Sequence, residues 1–185
     1  MRYMVAGIGG QGILFATRVL GHLALQQGLP VIGSEVHGMS QRGGSVLSHF
    51  KIGADKSPLV AGGEADILLA FDQTEALRNY HFLREGGQVV LNVERPAELE
   101  NQKLQEYFRQ RRLAVHALDG FGLLRQHLEG KYLFLNVVIL GALCGAGLGD
   151  FSREDMRHAI EDLAPSKVRE ENLKGFDLGY AALAK

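Results

Sequence analysis

The chain has 185 residues, of which 46% are hydrophobic and 22% charged, a composition typical of a globular protein with a sizeable core. The formal net charge of −1 gives no argument for binding nucleic acid or an anionic membrane. The longest apolar run, residues 132–148, falls short of the roughly 20 residues that a membrane span needs. Cys144 is the single cysteine, so an internal disulfide is excluded and a reducing, cytoplasmic setting is favoured. We therefore expect one domain over residues 1–185.

Strand-like and helix-like periods alternate along the first two thirds of the chain. Strands are predicted at 2–6, 30–34, 46–52, 65–71, 88–93 and 113–118, and helices at 12–27, 72–84 and 97–112. The segment 46–52 alternates apolar and polar residues before a turn, which predicts a hairpin or an edge strand. Four further helices are predicted at 121–129, 132–144, 152–163 and 168–183. The pattern predicts an α/β fold with three Rossmann-like layers: a mostly parallel sheet with helices on both faces, and a helical C-terminal segment.

A glycine-rich turn follows the first predicted strand. It contains the G-x-G-x-x-G dinucleotide fingerprint, formed by Gly7, Gly9 and Gly12, with Gly10 and Gln11 between the last two. Free N–H groups at the start of a helix favour an anion. Glu35, near the end of the second strand, lies roughly where a ribose-binding carboxylate belongs. The same turn could equally be a sharp strand-to-helix connection that binds nothing.

A second polar, glycine-rich segment covers residues 34–45. Gly43 and Gly44 expose backbone N–H groups, and Arg42 beside them could grip a carboxylate or a phosphate in a bidentate manner. His37 could donate, accept or titrate near neutral pH. The alternative is a solvated loop whose polar residues satisfy only its own backbone.

The two glycine-rich loops follow the first two predicted strands. Because the carboxyl ends of parallel strands meet at one edge of a sheet, we expect the loops to line the same crevice. His37 and His49 have no third ligand at a suitable spacing, so no metal site is predicted.

Both loops, together with Gly-Glu-Ala-Asp at 63–66 and Glu-Asn-Leu at 171–173, resemble the gamma-type subunit of 2-oxoacid:ferredoxin oxidoreductases, the pyruvate/ketoisovalerate oxidoreductase gamma-domain family. The resemblance spans essentially the whole chain. Pyruvate and 2-oxoglutarate members usually carry a Tyr-Gly-Pro-Glu-x-Arg-Gly-Gly type of loop. The Val-His-Gly-Met-Ser-Gln-Arg-Gly-Gly loop of this chain is more similar to the small beta subunit of indolepyruvate:ferredoxin oxidoreductase.

This resemblance implies a thiamine-diphosphate-dependent oxidative decarboxylation. A 2-oxoacid, such as indolepyruvate or another aryl pyruvate, would yield CO2 and an acyl-CoA while ferredoxin is reduced. The chain would be an accessory subunit without activity alone, because one cysteine cannot ligate a [4Fe–4S] cluster and the Gly-Asp-Gly signature of the thiamine magnesium site is absent. Thiamine diphosphate, Mg and [4Fe–4S] clusters are therefore expected on a large partner subunit, with coenzyme A as co-substrate.

On this interpretation the two loops approach the thiamine site or the coenzyme A channel of the partner. Arg42 would orient a substrate carboxylate or a coenzyme A phosphate, with Gln41 beside it, and the amides of residues 9–12 would bind an anionic group. His37 is a candidate proton donor or acceptor. The resemblance leaves open the identity of the 2-oxoacid, the subunit stoichiometry, the physiological electron acceptor and the direction of catalysis.

Two other interpretations compete with the accessory subunit. The first is a stand-alone protein that binds NAD(P) or FAD through Gly7, Gly9, Gly12 and Glu35. The second is a non-enzymatic interaction module whose apolar helix, residues 132–148, is exposed in the monomer and covered in a complex. Self-association as a C2 dimer is compatible with each of them.

Overall fold

The computed structural model describes residues 1–38 and 43–184. Its strands are Arg2–Ile8 (β1), Val31–His37 (β2), Ser45–Ile52 (β3), Ala65–Ala70 (β4), Leu83–Asn92 (β5) and Ala114–Leu118 (β6). Its α-helices are Ile13–Gln26 (α1), Gln73–Asn79 (α2), Pro96–Leu99 (α3), Gln102–Gln110 (α4), Gly120–His127 (α5), Leu135–Gly145 (α6), Arg153–Leu163 (α7) and Arg169–Leu183 (α8). Across these described ranges, no helix is both long and apolar enough to cross a membrane.

The strands form one sheet in the order β2-β3-β1-β4-β5-β6. Strands β1, β4, β5 and β6 are parallel to one another. Strand β3 runs antiparallel to both of its neighbours, β1 and β2. The predicted hairpin is confirmed by the antiparallel pairing of β2 with β3. The alternative of an edge position for β3 is wrong, because β3 lies between β1 and β2 and leaves β2 at the edge.

Helices cover both faces of the sheet, as the three-layer prediction requires. Residues of β1 alternate between the two cores: Tyr3 and Val5 face α1 and α5–α8, while Met4 and Ala6 face α2 and α4. All four side chains are fully buried. The strand is apolar on both faces because both faces are covered. The predicted α/β class, with its mostly parallel sheet and helical C-terminal segment, is confirmed.

Two predicted helices have different bounds in the structure. The segment 72–84 forms only the short helix α2 and a 3-10 turn, Tyr80–Phe82, and then enters β5 at Leu83. The pair Gly86-Gly87 lies inside that strand instead of ending a helix. The segment 97–112 is divided into α3 and α4, because the side chain of Asn101 accepts hydrogen bonds from the first amides of α4.

The apolar helix α6 is covered by the chain itself. Val137, Val138 and Ile139 have no exposed surface, and α8 packs directly against the helix. The approach is so close that a Cβ atom on Gly179 would lie 1.9 Å from the carbonyl oxygen of Val138. The residues of α6 are therefore not left open for a partner, whereas Tyr132 and Leu133, at the start of the predicted segment 132–148, are exposed. Intrachain packing accounts for the glycines of α6.

Candidate functional site

The candidate site lies at the carboxyl edge of the sheet, between β1 and β4. Helix α1 leaves β1 toward one face, and helix α2 leaves the neighbouring parallel strand β4 toward the other face. In open α/β sheets this switch in direction opens a crevice outside the strand ends, and ligands bind there. The first glycine-rich loop, residues 7–12, connects β1 to α1 and forms one wall of the crevice.

Packing accounts for two glycines of the first loop and backbone geometry for a third. A Cβ atom on Gly7 would lie 2.9 Å from Cβ of Phe71, and one on Gly12 would lie 2.5 Å from Nδ2 of Asn136. Gly10 has open space around it but a φ of 103°. That value lies in the region that favours glycine. Gly7 and Gly12 of the fingerprint therefore have a structural basis here, independent of any nucleotide.

Hydrogen bonds within the chain satisfy part of the predicted anion site. The N–H of Gly9 donates to the carbonyl of Gly44 at 2.8 Å, and the N–H of Gln11 donates to the carbonyl of Ile8 at 3.1 Å. The side-chain oxygen of Gln11 accepts from the N–H of Ile8 at 2.7 Å. Within the described ranges, the amides of Gly10 and Gly12 have no acceptor. An anion at this loop would use those two amides and the first turn of α1.

The second loop is closed at its base and held against the first. The N–H of Gly38 donates to the carbonyl of Ser45 at 2.8 Å, and Gly44 carries the carbonyl that receives the Gly9 bond. Gly43 is exposed, with a φ of 76°. Gln41 and Arg42, the predicted polar contacts, lie outside the described residues. The structure thus brings the ends of both loops together at one edge of the sheet.

His37 is the last residue of β2, and across the sheet it lies level with Gly7, where the first loop begins. Val46 of β3 pairs with His37 on one side and with Gly7 on the other. The imidazole is about half exposed, with Nε2 3.9 Å from the carboxylate of Glu35. His37 and the first loop, including Gly9 and Gly10, line one cavity of about 370 Å³. The predicted neighbourhood of His37 and the glycines is present.

Glu35 is not in the position that a ribose-binding carboxylate would occupy. In dinucleotide-binding folds the second strand lies directly beside the first. Here β3 intervenes, so β2 lies two strand spacings, or about 10 Å, from β1. Glu35 borders another groove, between α1 and β2. This topology argues against the stand-alone NAD(P)- or FAD-binding interpretation.

Two polar residues at the site were not predicted from the sequence. Asn136, at the start of α6, is buried against Gly12. Glu75, at the start of α2, is also buried, and its carboxylate accepts a 2.6 Å hydrogen bond from the hydroxyl of Ser45. The signal for Asn136 was an isolated amide within an apolar run. For Glu75 the local pattern indicated only a helix start.

The groups available for metal or thiolate chemistry are few. In the part of the chain that the structure describes, no three His, Cys, Asp or Glu side chains are grouped so that they could hold a metal ion. Burial raises the pKa of the Cys144 thiol to about 12, so the thiolate is disfavoured near neutral pH.

The fold and this edge of the sheet define a Rossmann-like α/β domain with two glycine-rich loops at the carboxyl ends of its strands. The chain matches the family described as pyruvate ferredoxin/flavodoxin oxidoreductase over residues 2–182, and it belongs to that family. The indolepyruvate oxidoreductase subunit IorB of Pyrococcus horikoshii is 37% identical, covering 97% of this chain and 94% of that protein. The predicted relationship to gamma-type subunits, with similarity to the indolepyruvate enzyme, is confirmed.

Solved structures share the fold over the whole chain. The gamma subunit of a keto/oxoacid ferredoxin oxidoreductase from Geobacter sulfurreducens has a TM-score of 0.72 and 24% identity, covering 98% of this chain and 97% of that one. A 2-oxoglutarate:ferredoxin oxidoreductase from Magnetococcus marinus, with 2-oxoglutarate, coenzyme A and succinyl-CoA bound, has a TM-score of 0.77 and 21% identity. This chain covers only 31% of that longer polypeptide, with 99% of its own length matched.

Proposed function

We propose that this chain is the accessory, gamma-type subunit of a 2-oxoacid:ferredoxin oxidoreductase that acts on indolepyruvate or another aryl pyruvate. The observation that carries the proposal is the likeness to an indolepyruvate oxidoreductase subunit over nearly the full length of both proteins. The complex decarboxylates the 2-oxoacid, transfers the acyl group to coenzyme A and passes two electrons to ferredoxin. The chain works in the cytoplasm as one part of this assembly.

The redox and thiamine chemistry belongs to a larger partner subunit. A [4Fe–4S] cluster takes four thiolates, and this chain has one cysteine, whose buried thiol resists deprotonation. Thiamine diphosphate and magnesium are assigned to the same partner. The longer Magnetococcus polypeptide, of which this fold is about a third, supports an arrangement in which the domain works beside a larger body.

This chain contributes its two joined loops to the shared site. The cavity beside His37, with the amides of Gly10 and Gly12 and the start of α1, suits an anionic group such as a coenzyme A phosphate or a substrate carboxylate. Arg42, three residues before Ser45, supplies a cation to the same group. His37 holds or donates a proton there. None of these residues acts on substrate without the partner.

The first test is purification of the tagged chain from its native host, followed by iron, sulfide and thiamine analysis of the material that accompanies it. We expect a larger subunit with stoichiometric iron and thiamine. A panel of indolepyruvate, phenylpyruvate, pyruvate and 2-oxoglutarate, assayed with coenzyme A and ferredoxin, then identifies the substrate. Recovery of the chain alone with a bound nucleotide would contradict the subunit assignment. A complex that prefers pyruvate or 2-oxoglutarate would remove only the aryl preference.

The oligomeric state of the isolated chain is a separate measurement. We propose that the chain alone associates at most into a C2 dimer, with the larger subunit as its partner in the functional complex. Light scattering of the purified chain and of the complex gives the two stoichiometries directly. A larger closed assembly of the isolated chain would contradict this proposal.

A further inference from the structure

Glu75 has an arrangement that its helix does not require. Asp72 is the N-cap of α2, and its carboxylate accepts from the N–H of Glu75 at 3.0 Å. In a complete capping box the side chain at the Glu75 position would return a bond to the N-cap amide. Here its two oxygens are directed elsewhere: Oε2 accepts from the hydroxyl of Ser45 at 2.6 Å, and Oε1 accepts from Arg78 at 2.6 Å.

The burial of this carboxylate makes the bond to Ser45 necessary. The Glu75 side chain is 6% exposed, whereas that of Arg78 is 65% exposed and reaches it from solvent. Burying a carboxylate is costly unless hydrogen-bond donors replace the lost water. Ser45 is the donor on the side facing the sheet. A serine hydroxyl bound to an ionised carboxylate makes a short, strong hydrogen bond.

Ser45 is also the residue at which both loops are anchored. Its carbonyl accepts from the N–H of Gly38, which closes the second loop. Its backbone pairs with Ile8 of β1, where the first loop begins. The preceding residue, Gly44, accepts the bond from Gly9. Fixing the side chain of Ser45 to α2 therefore fixes the base of both loops relative to the far wall of the crevice.

We infer that Glu75 is a positioning residue, which holds the two glycine-rich loops in their binding arrangement through Ser45. It touches no reacting group. Its effect on KM rests on the proposed function, because only that proposal assigns a ligand to the loops. Without the Ser45–Glu75 bond, the described residues at the base of the loops, Gly9, Gly38 and Gly44, must be fixed in place when the ligand binds, and the cost is subtracted from the binding free energy. The KM of the ligand held by the loops then rises, while kcat changes little.

The first experiment uses the isolated chain and does not depend on the proposed function. Amide hydrogen exchange of 15N-labelled protein reports on Gly9 and Gly38, whose bonds depend on the position of Ser45. We expect Ser45→Ala to accelerate exchange at both amides by about 10-fold, the effect of losing one charge-assisted hydrogen bond. The N–H of Gly63, bonded to His81 at the opposite edge, should not change. Unchanged exchange at Gly9 and Gly38 would overturn the inference.

Two further variants separate positioning from general loss of structure. Ser45→Thr keeps a hydroxyl and should restore slow exchange at Gly9 and Gly38. Arg78→Met removes the exposed ion pair and leaves the bond between Ser45 and Glu75, so exchange should stay within about threefold of the natural chain. If Arg78→Met accelerates exchange as much as Ser45→Ala does, the bond from Ser45 has no distinct part in holding these residues, and the inference is overturned.

The second experiment uses the assembled complex. Ser45→Ala should raise the KM for coenzyme A or for the 2-oxoacid by about 10-fold, with kcat within twofold, and Ser45→Thr should restore it. Which KM rises identifies the ligand that the loops hold. Faster exchange in the isolated chain with both KM values unchanged would overturn the role of Glu75 at the site. A complex without 2-oxoacid oxidation would contradict the proposed function and leave the exchange result standing.

Discussion

The N–H of Gly9 donates a 2.8 Å hydrogen bond to the carbonyl of Gly44, and this bond joins the two glycine-rich loops into one unit. The bond lies beside the point where the antiparallel strand β3 enters the sheet between β1 and β2. The start of β3 carries the second loop directly to the end of β1, so that Ser45 pairs with Ile8. A change within one loop should therefore be transmitted to the other.

The first prediction concerns Gln11. Its side-chain oxygen accepts from the N–H of Ile8 at 2.7 Å, so Gln11→Ala leaves a partly buried amide without an acceptor. We expect the free energy of unfolding to fall by about 1–3 kcal/mol. Urea denaturation of the isolated chain measures it. Gln11→Glu keeps an oxygen in place and is the matched control. Equal stability of Gln11→Ala and the natural chain would mean that the side chain serves a ligand instead.

The second prediction compares two glycines inside helices. A Cβ atom on Gly179 would lie 1.9 Å from the carbonyl oxygen of Val138, whereas one on Gly21 would lie 3.6 Å from the ring of Phe50, an ordinary contact. Gly179→Ala must separate α6 from α8, and we expect a loss of at least about 2 kcal/mol in unfolding free energy. Gly21→Ala should gain up to about 1 kcal/mol from helix propensity. Denaturant midpoints that shift equally in both variants would contradict this account.

Local patterns predicted the elements of this fold better than their arrangement. The strand at 2–6 and the helix at 152–163 were indicated by local patterns, and both are present as β1 and α7. The position of β3 between β1 and β2 depends on pairings between distant segments, which alternation within residues 46–52 does not encode. In the same way, Gly86-Gly87 has the local pattern of a helix end, but it lies inside β5, at an irregularity between the pairs Ala65–Leu83 and Ile67–Gln88.

At the candidate site, too, local signals predicted some features, whereas contacts between distant residues were not predicted. The shared direction of the first two predicted strands was enough to predict that the ends of residues 7–12 and of the second loop lie at one edge of the sheet. The bond from Ser45 to Glu75 joins residues 30 positions apart, and nothing near Glu75 distinguishes it from an ordinary first-turn acid. Glu35 was placed by a fingerprint that assumes adjacent parallel strands, and the intervening β3 removes that assumption.

The third prediction concerns stability at acid pH. Burial raises the pKa of Asp66, but the guanidinium of Arg84 and the N–H of Arg2, each at 2.7 Å, outweigh burial and hold that pKa below its ordinary value. Because the folded-state pKa is depressed, the carboxylate stabilises the fold above about pH 4, and this contribution is lost as the pH falls through the folded pKa.

We therefore expect Asp66→Asn to lower the unfolding free energy by about 1–2 kcal/mol at neutral pH. The difference from the natural chain should shrink toward zero as the pH falls below the depressed folded-state pKa of Asp66, where both chains carry a neutral group at this position. Guanidinium denaturation at several pH values measures the difference. A loss that stays constant across the series would show that packing, and not the charge of Asp66, is responsible.

The last prediction concerns Arg42, which lies outside the described residues and is assigned its role by the proposed function. In the assembled complex, Arg42→Ala should lower kcat/KM by one to two orders of magnitude, because a lost charge-assisted hydrogen bond costs about 1.5–3 kcal/mol. Arg109→Ala is the matched control: this arginine pairs with Glu106 on α4, and its removal should leave the kinetics unchanged. Arg42→Lys should recover part of the loss, since it restores the charge but not the bidentate geometry. Equal kinetics for the Arg42→Ala complex and the natural complex would exclude the second loop from ligand binding.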